Sequence, residues 1–327
     1  MKDVIMENKK TPNKKFTLNI QISDFGIYFA LIFLLIVFSI ASSHFSDLSN
    51  FSLILLQASV TGIISIGMLF VILTAGIDLS VGSILALAGI ISGIFAQMDP
   101  SPVNKIIAVS IPILLGLLCG LFNGAIVAWG KVPPLIVTLG TLYAYRGFVV
   151  WYRVNPIYNL QPWYRAIGQN SFGPIPIPVL LFFIVVIAAF ILLNMTRFGR
   201  YVYAVGGNES AARAAGINVQ LIKLGVYSIS GLLCGLAGLV FTSRLGAAQA
   251  ISGQGFEMIA IASVVVGGAS LSGGRGTVGK TVVGALIIQV LSNGLVMLNV
   301  PSTIQQIIIG MIIISAVGLD AALRKKN

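Results

Sequence analysis

The sequence predicts an all-α, polytopic integral membrane protein of about ten transmembrane helices, with both termini cytoplasmic. Three observations carry this. The chain is 57% hydrophobic and only 9% charged, where soluble domains carry about 25% charged residues. Apolar runs recur along it at about the 20 residues that a helix needs to cross a hydrocarbon core about 30 Å thick. Finally, 36 glycines suit helices that pack closely in lipid.

The candidate spans are 26–43, 51–74, 79–97, 105–129, 134–152, 178–195, 223–245, 256–270, 277–298 and 302–320. They divide the chain into a basic N-terminal tail (1–25), a single transmembrane domain (26–320) and a basic C-terminal tail (321–327). The longest stretch between spans is a cytoplasmic loop, 196–222. The net charge of +11 could suggest nucleic acid, but its distribution argues for a topogenic role. With the N-terminus inside, fifteen of the 20 Lys and Arg fall inside: Lys2, Lys9, Lys10, Lys14 and Lys15, then Lys131, Arg197, Arg200, Arg213 and Lys223, then Arg275, Lys280, Arg324, Lys325 and Lys326. Only Lys105, Arg153 and Arg165 fall outside, and Arg146 and Arg244 lie within or at the edge of spans. This is the positive-inside pattern, and no nucleic-acid partner is expected.

The first apolar segment has too long a polar lead and too many spans after it to read as a cleaved signal peptide, so a retained helix is expected. Cys119 and Cys234 both sit in apolar spans and carry no redox message.

The segment 274–281 has the spacing of a phosphate-binding loop, Gly274-x-x-x-x-Gly279-Lys280-Thr281. Its mechanism needs a strand, a loop of free N–H groups and a helix within an α/β domain. Twenty-seven residues of cytoplasmic loop cannot build such a domain. Asp320, which could imitate a second acidic motif, only closes the last span. The match is therefore read as a coincidence, with 271–279 a tight turn between spans. A membrane-bound NTPase is the reading this sets aside.

Three local features carry more. In "LTAGIDLSVGS" (73–83), the stretch Gly76 to Ser80 interrupts two apolar helices. Asp78 or Ser80 can cap the helix that follows. A broken helix at membrane depth is tolerated only where it is buried in protein or lines a cavity, so Gly76, Asp78 and Ser80 are candidate path residues. In "GGNESAARAAGIN" (206–218), Asn208 is a natural N-cap, and Glu209 and Arg213 are spaced four apart in the supportive order. Gly216 can end the helix in a left-handed conformation. About two turns of helix are marginal alone in water, so the segment is either an ordinary loop or a small, Ala-faced helix docked on a partner. Third, Gly116-x-x-x-Gly120-x-x-x-Gly124 and Gly231-x-x-x-Gly235 put small residues on one helix face. The hexapeptide Gly-Leu-Leu-Cys-Gly-Leu occurs at 116–121 and again at 231–236, through either packing demand or internal duplication.

Other chemistry is sparse. One histidine, His44, excludes a histidine pair, and no catalytic residue, metal or cofactor is expected. Arg146 is an intramembrane charge and so a functional candidate, although it lies close enough to the outer interface to snorkel. Glu257 is a candidate helix-start residue. Buried carboxylates are fewer than an ion-coupled carrier would need.

Four segments together resemble the membrane permease of bacterial ABC importers in the ribose-type monosaccharide family: "VILTAGIDLSVGSILALAG" (71–89), "RFGRYVYAVGGNESAARAAGIN" (197–218), "GFEMIAIASVVVGGASLSGGRGTVG" (255–279) and "GALIIQVLSNGL" (284–295). The similarity runs from about residue 50 to the C-terminus. The resemblance implies a bacterial plasma-membrane protein that forms the path of a monosaccharide, ribose-like. It implies ATP hydrolysis on a separate cytoplasmic subunit, an extracytoplasmic sugar-binding protein and a second permease subunit. Asn208, Glu209, Ala211, Ala212, Arg213 and Gly216 would form the coupling helix on the ATPase. The family motif departs here, because Glu209 is out of register and no Leu-Pro follows. Gly76, Asp78, Ser80 and Asn293 would line the path. Nucleosides, a furanosyl signalling molecule and branched-chain amino acids are alternative solutes, and an ion-coupled carrier is the alternative class.

Overall fold

The computed structural model describes residues 25–324. The N-terminal lysines of the charge argument, and Lys325 and Lys326, lie outside the described residues. Apart from one two-stranded hairpin, the regular structure is helical. In chain order the helices are α1 (Gly26–Ala41), α2 (Leu48–Leu73), α3 (Val81–Gln97), α4 (Pro102–Trp129), α5 (Pro134–Tyr152) and α6 (Pro162–Gln169). The antiparallel pair β1 (Ser171–Phe172) and β2 (Ile175–Pro176) follows. Then come α7 (Ile177–Met195), α8 (Arg197–Gly207), α9 (Glu209–Ala214), α10 (Val219–Leu245), α11 (Phe256–Val266), α12 (Val278–Met297) and α13 (Ser302–Arg324).

Six of these, α2, α4, α5, α7, α10 and α12, are long and apolar enough to cross a membrane. The other four expected spans coincide with shorter apolar helices: α1, α3, α11 and the first part of α13. The chain is thus a multi-pass helical bundle, with six helices of full spanning length among the described residues. α11 has only 11 residues, about 16 Å at 1.5 Å per residue, which is half of a bilayer core.

α2 is the hub of the bundle. Every residue from Ala58 to Leu73 is buried, as expected of a helix apolar on all sides. Its polar side chains are matched by neighbours. Asn50 and Asn293 exchange amide hydrogen bonds of 3.0 and 2.8 Å, and Gln289 donates to Thr61 at 3.0 Å. These bonds tie α2 to α12. Outward-facing residues such as Leu114, Leu118, Phe122, Phe183, Ile184 and Ile187 are exposed, as lipid-facing positions on α4 and α7 should be.

The tightest crossing is between α4 and α10, and the repeated hexapeptide forms it. A Cβ on Gly116 would overlap the Gly231 carbonyl oxygen, and a Cβ on Gly231 would overlap that of Gly116. Likewise, Gly120 abuts the Tyr227 carbonyl and Gly235 that of Pro112. The two copies therefore lie antiparallel and related by a local two-fold axis. Small residues at i and i+4 let the backbones touch.

Candidate coupling surface and translocation path

The loop 196–222 contains two helices, α8 and α9, where the sequence suggested one. α8 starts at Thr196, whose hydroxyl accepts from Gly199 N at 3.2 Å. Arg197 and Arg200 are exposed, and Gly199, Val202, Val205 and Gly206 form the buried face. This periodicity was visible in the sequence, but it spans only two turns.

α9 is built as its residues dictate. Asn208 Oδ1 accepts from Ala211 N at 2.9 Å. Gly216 takes φ +83°, Gly216 N donates to Arg213 O, and Ile217 N donates to Ala212 O at 3.0 Å. That pair of bonds is the Schellman termination, which favours glycine. Glu209 accepts from Arg213 at 3.0 Å and from Lys223 of α10 at 2.7 Å. The Lys223 bond, helped by Arg213, holds the Glu209 carboxyl below its ordinary value. Of the alanines, Ala212 is buried in this chain's own body. Ala211, Ala214 and Ala215 are exposed with Ser210 and Arg213. Beside α9 lies a cavity of about 390 Å³ lined by Lys131, Pro134, Glu209, Arg213 and Lys223.

α8 docks on the ends of two other elements. A Cβ on Gly206 would overlap the carbonyl oxygen of Leu73, the last residue of α2. Gly274 N donates to that same carbonyl at 3.0 Å, and Tyr203 donates to the Gly276 carbonyl at 2.8 Å. Residues 267–277 are a turn with Gly268, Gly273, Gly274 and Gly276 all at positive φ. What precedes this turn is helix α11, where a phosphate-binding loop requires a strand. Gly274 N is already bonded, and Thr277 simply caps α12. The coincidence reading of the motif agrees with this geometry.

At 74–80 the chain leaves α2 and returns to begin α3. Asp78 is fully buried. Its carboxylate accepts from Ser80 N (3.0 Å), Ser80 Oγ (2.6 Å) and Ser230 Oγ on α10 (2.9 Å). Asn123 of α4 donates to Ser80 Oγ at 2.8 Å, and Tyr145 of α5 donates to Asn123 at 3.3 Å. Thr138 and Tyr227 both donate to the Ile77 carbonyl. Free backbone groups at a helix break must be satisfied within the membrane, and this network satisfies them. The structure brings Gly76, Asp78 and Ser80 into one cluster. It places Asn293 elsewhere, paired with Asn50.

A second break precedes α11. Ala248 and Ile157 exchange backbone hydrogen bonds of 2.9 and 3.0 Å. From there the chain runs beside α3, past Gly93 at Ala248 and down to Gly82 at Gly253. Eleven residues of α3 separate those contacts, about 16 Å. Segment 246–255 thus runs alongside α3 without forming a helix, and the N-termini of α3 and α11 meet at Gly82, Gly253 and Glu257. Arg146 of α5 donates to the carbonyls of Ala250 and Ser252 (2.8 Å to Ser252). These bonds tie α5 to the non-helical segment 246–255. The partners of Arg146 are backbone atoms, which no side-chain motif advertises.

A family model described as "Branched-chain amino acid transport system / permease component" matches residues 50–317. The chain is 41% identical to the ribose import permease protein RbsC of Bacillus subtilis over 324 residues, covering 98% of this chain and 99% of that one. It is 42% identical to RbsC of Escherichia coli K12 over 301 residues (89% and 91%). Against the D-allose transport system permease protein AlsC of Escherichia coli it is 38% identical over 323 residues (98% of each). No solved structure matches. Such identity, sustained across a multi-pass helical bundle, leaves one conclusion: the chain belongs to the permease family of ribose-type ABC importers.

Proposed function

We propose that this protein is the bacterial inner-membrane permease subunit of an ATP-driven, binding-protein-dependent importer, and that it forms the translocation path for a monosaccharide. The observation that carries the substrate class is the near-full-length identity to permeases named for ribose and allose. In this reading a separate cytoplasmic ATPase docks on the exposed face of α9. A sugar-binding protein docks on the opposite side, and a second permease subunit completes the path. ATP binding at the partner would move α9 and α8, and the shared junction at Leu73, Gly206 and Gly274 would carry that motion to both breaks. The single transmembrane domain would thereby alternate its access.

Branched-chain amino acids are the second reading, because the family description names them. Cells lacking their own ribose transport, supplied with this permease and its neighbouring ATPase and binding protein, separate the two. Uptake of labelled D-ribose, D-allose or D-xylose is expected. Uptake of leucine alone would replace the sugar reading.

A further inference from the structure

Between α11 and α13 lies a cavity of about 680 Å³, lined by Gln254, Glu257, Met258, Gln306, Ile309 and Ile313. It sits where segment 246–255 ends and α11 begins, beside the meeting point of the α3 and α11 N-termini. Its lining combines three polar side chains, Gln254, Glu257 and Gln306, with apolar ones, and Gln254 and Gln306 are exposed to it. Glu257 is fixed from behind: its Oε1 accepts from Gly255 N at 3.2 Å, and a Cβ on Gly82 would lie 2.8 Å from its Oε2.

Resting on the importer reading, we propose that this cavity holds the sugar during passage and that Gln254, Glu257 and Gln306 determine which sugars pass. A carboxylate accepts from hydroxyl groups, and each amide both donates and accepts. That combination matches a neutral polyol, whose hydroxyls do both. Met258, Ile309 and Ile313 offer an apolar surface for the C–H face of the ring. Binding pockets for small molecules have this general form, apolar with a few placed polar groups. Discrimination follows because a hydroxyl left unpaired against a polar group is costly.

The test uses the complete transporter in proteoliposomes, with D-ribose, D-allose and D-xylose as probes. Gln306→Leu and Glu257→Gln are expected to change the ratio of ribose to xylose uptake about tenfold, about 1.4 kcal/mol of differential binding. Thr303→Ala, at an exposed position on α13 outside the cavity, should leave the ratio unchanged. In addition, labelling of Ile309→Cys by a small thiol reagent should slow in the presence of loaded binding protein and ATP. Gln306 is exposed, so its replacement should not prevent folding. An equal fall for all three sugars, or an unchanged ratio in both variants, overturns the proposal. Absence of any ATP-driven sugar uptake by the unaltered complex would instead strike the importer reading itself.

Discussion

Gly206 of α8 and Leu73 at the end of α2 meet backbone to backbone, with no room for a side chain between them. Gly207, the next residue, has nothing near its Cβ position. A paired experiment follows. Gly206→Ala must push α8 off α2, and overpacking a close contact costs about 1–3 kcal/mol. It is expected to lower sugar uptake at least about tenfold, whereas Gly207→Ala should be nearly neutral. Equal behaviour of the two variants would remove the junction from the coupling route.

The Asp78 cluster is expected to act as a brace for the α2–α3 break. Asp78→Ala removes the acceptor for three hydrogen bonds and leaves buried hydroxyls unpaired. Each unsatisfied group costs about 1–3 kcal/mol. A lower melting temperature of the detergent-solubilised permease should result, with Ser230→Ala intermediate. Wild-type melting of Asp78→Ala would show that the network contributes little.

Burial divides α9 into two faces with different mutational behaviour. Ala211 is exposed, so Ala211→Trp should leave the permease folded but abolish its association with the ATPase. Ala212 is buried at 4% exposure, so Ala212→Trp should instead reduce the amount of folded permease. Pull-down of the ATPase beside a measure of monodispersity separates these outcomes. Normal ATPase binding by Ala211→Trp would move the docking face elsewhere.

The Glu209 carboxyl lies below its ordinary value of 4.5 because Lys223 and Arg213 bond to it. A depressed carboxylate stabilises the fold above its unfolded value, and the stabilisation fades as pH falls through the folded value. The group is 44% exposed, so solvent screening limits the effect to under about 1 kcal/mol. Amide exchange of 209–216, corrected for intrinsic rates, is expected to quicken a few-fold below pH 4.5 and to be pH-independent in Glu209→Gln. Faster exchange in Glu209→Gln only at low pH would contradict the assignment.

The helices and their order were legible because apolar runs and glycine spacing report directly on lipid and close packing. Asn208, Glu209 and Gly216 announced the ends of α9 for the same reason, since caps are local. The shortness of α11 was not legible: 258–266 is almost wholly apolar, and only the partners of 246–255 show that the chain reaches α11 without helix. The partners of Arg146 were not legible for a similar cause, as its acceptors are carbonyls over 100 residues away. Asn293 is polar and in a span, yet nothing local reveals that Asn50 faces it. Long-range pairing decides such positions, and one sequence does not display it.

The central claim is that this chain moves sugar only when a separate subunit hydrolyses ATP. Its most direct test is D-ribose uptake into proteoliposomes containing this permease, with the ATPase and the binding protein supplied or withheld singly. The account predicts uptake only with all three proteins and ATP, an inactive complex when the ATPase carries a hydrolysis-dead substitution, and no nucleotide binding by the isolated permease, with or without Lys280→Ala. Uptake that persists without the ATPase and follows an imposed proton or sodium gradient would contradict it.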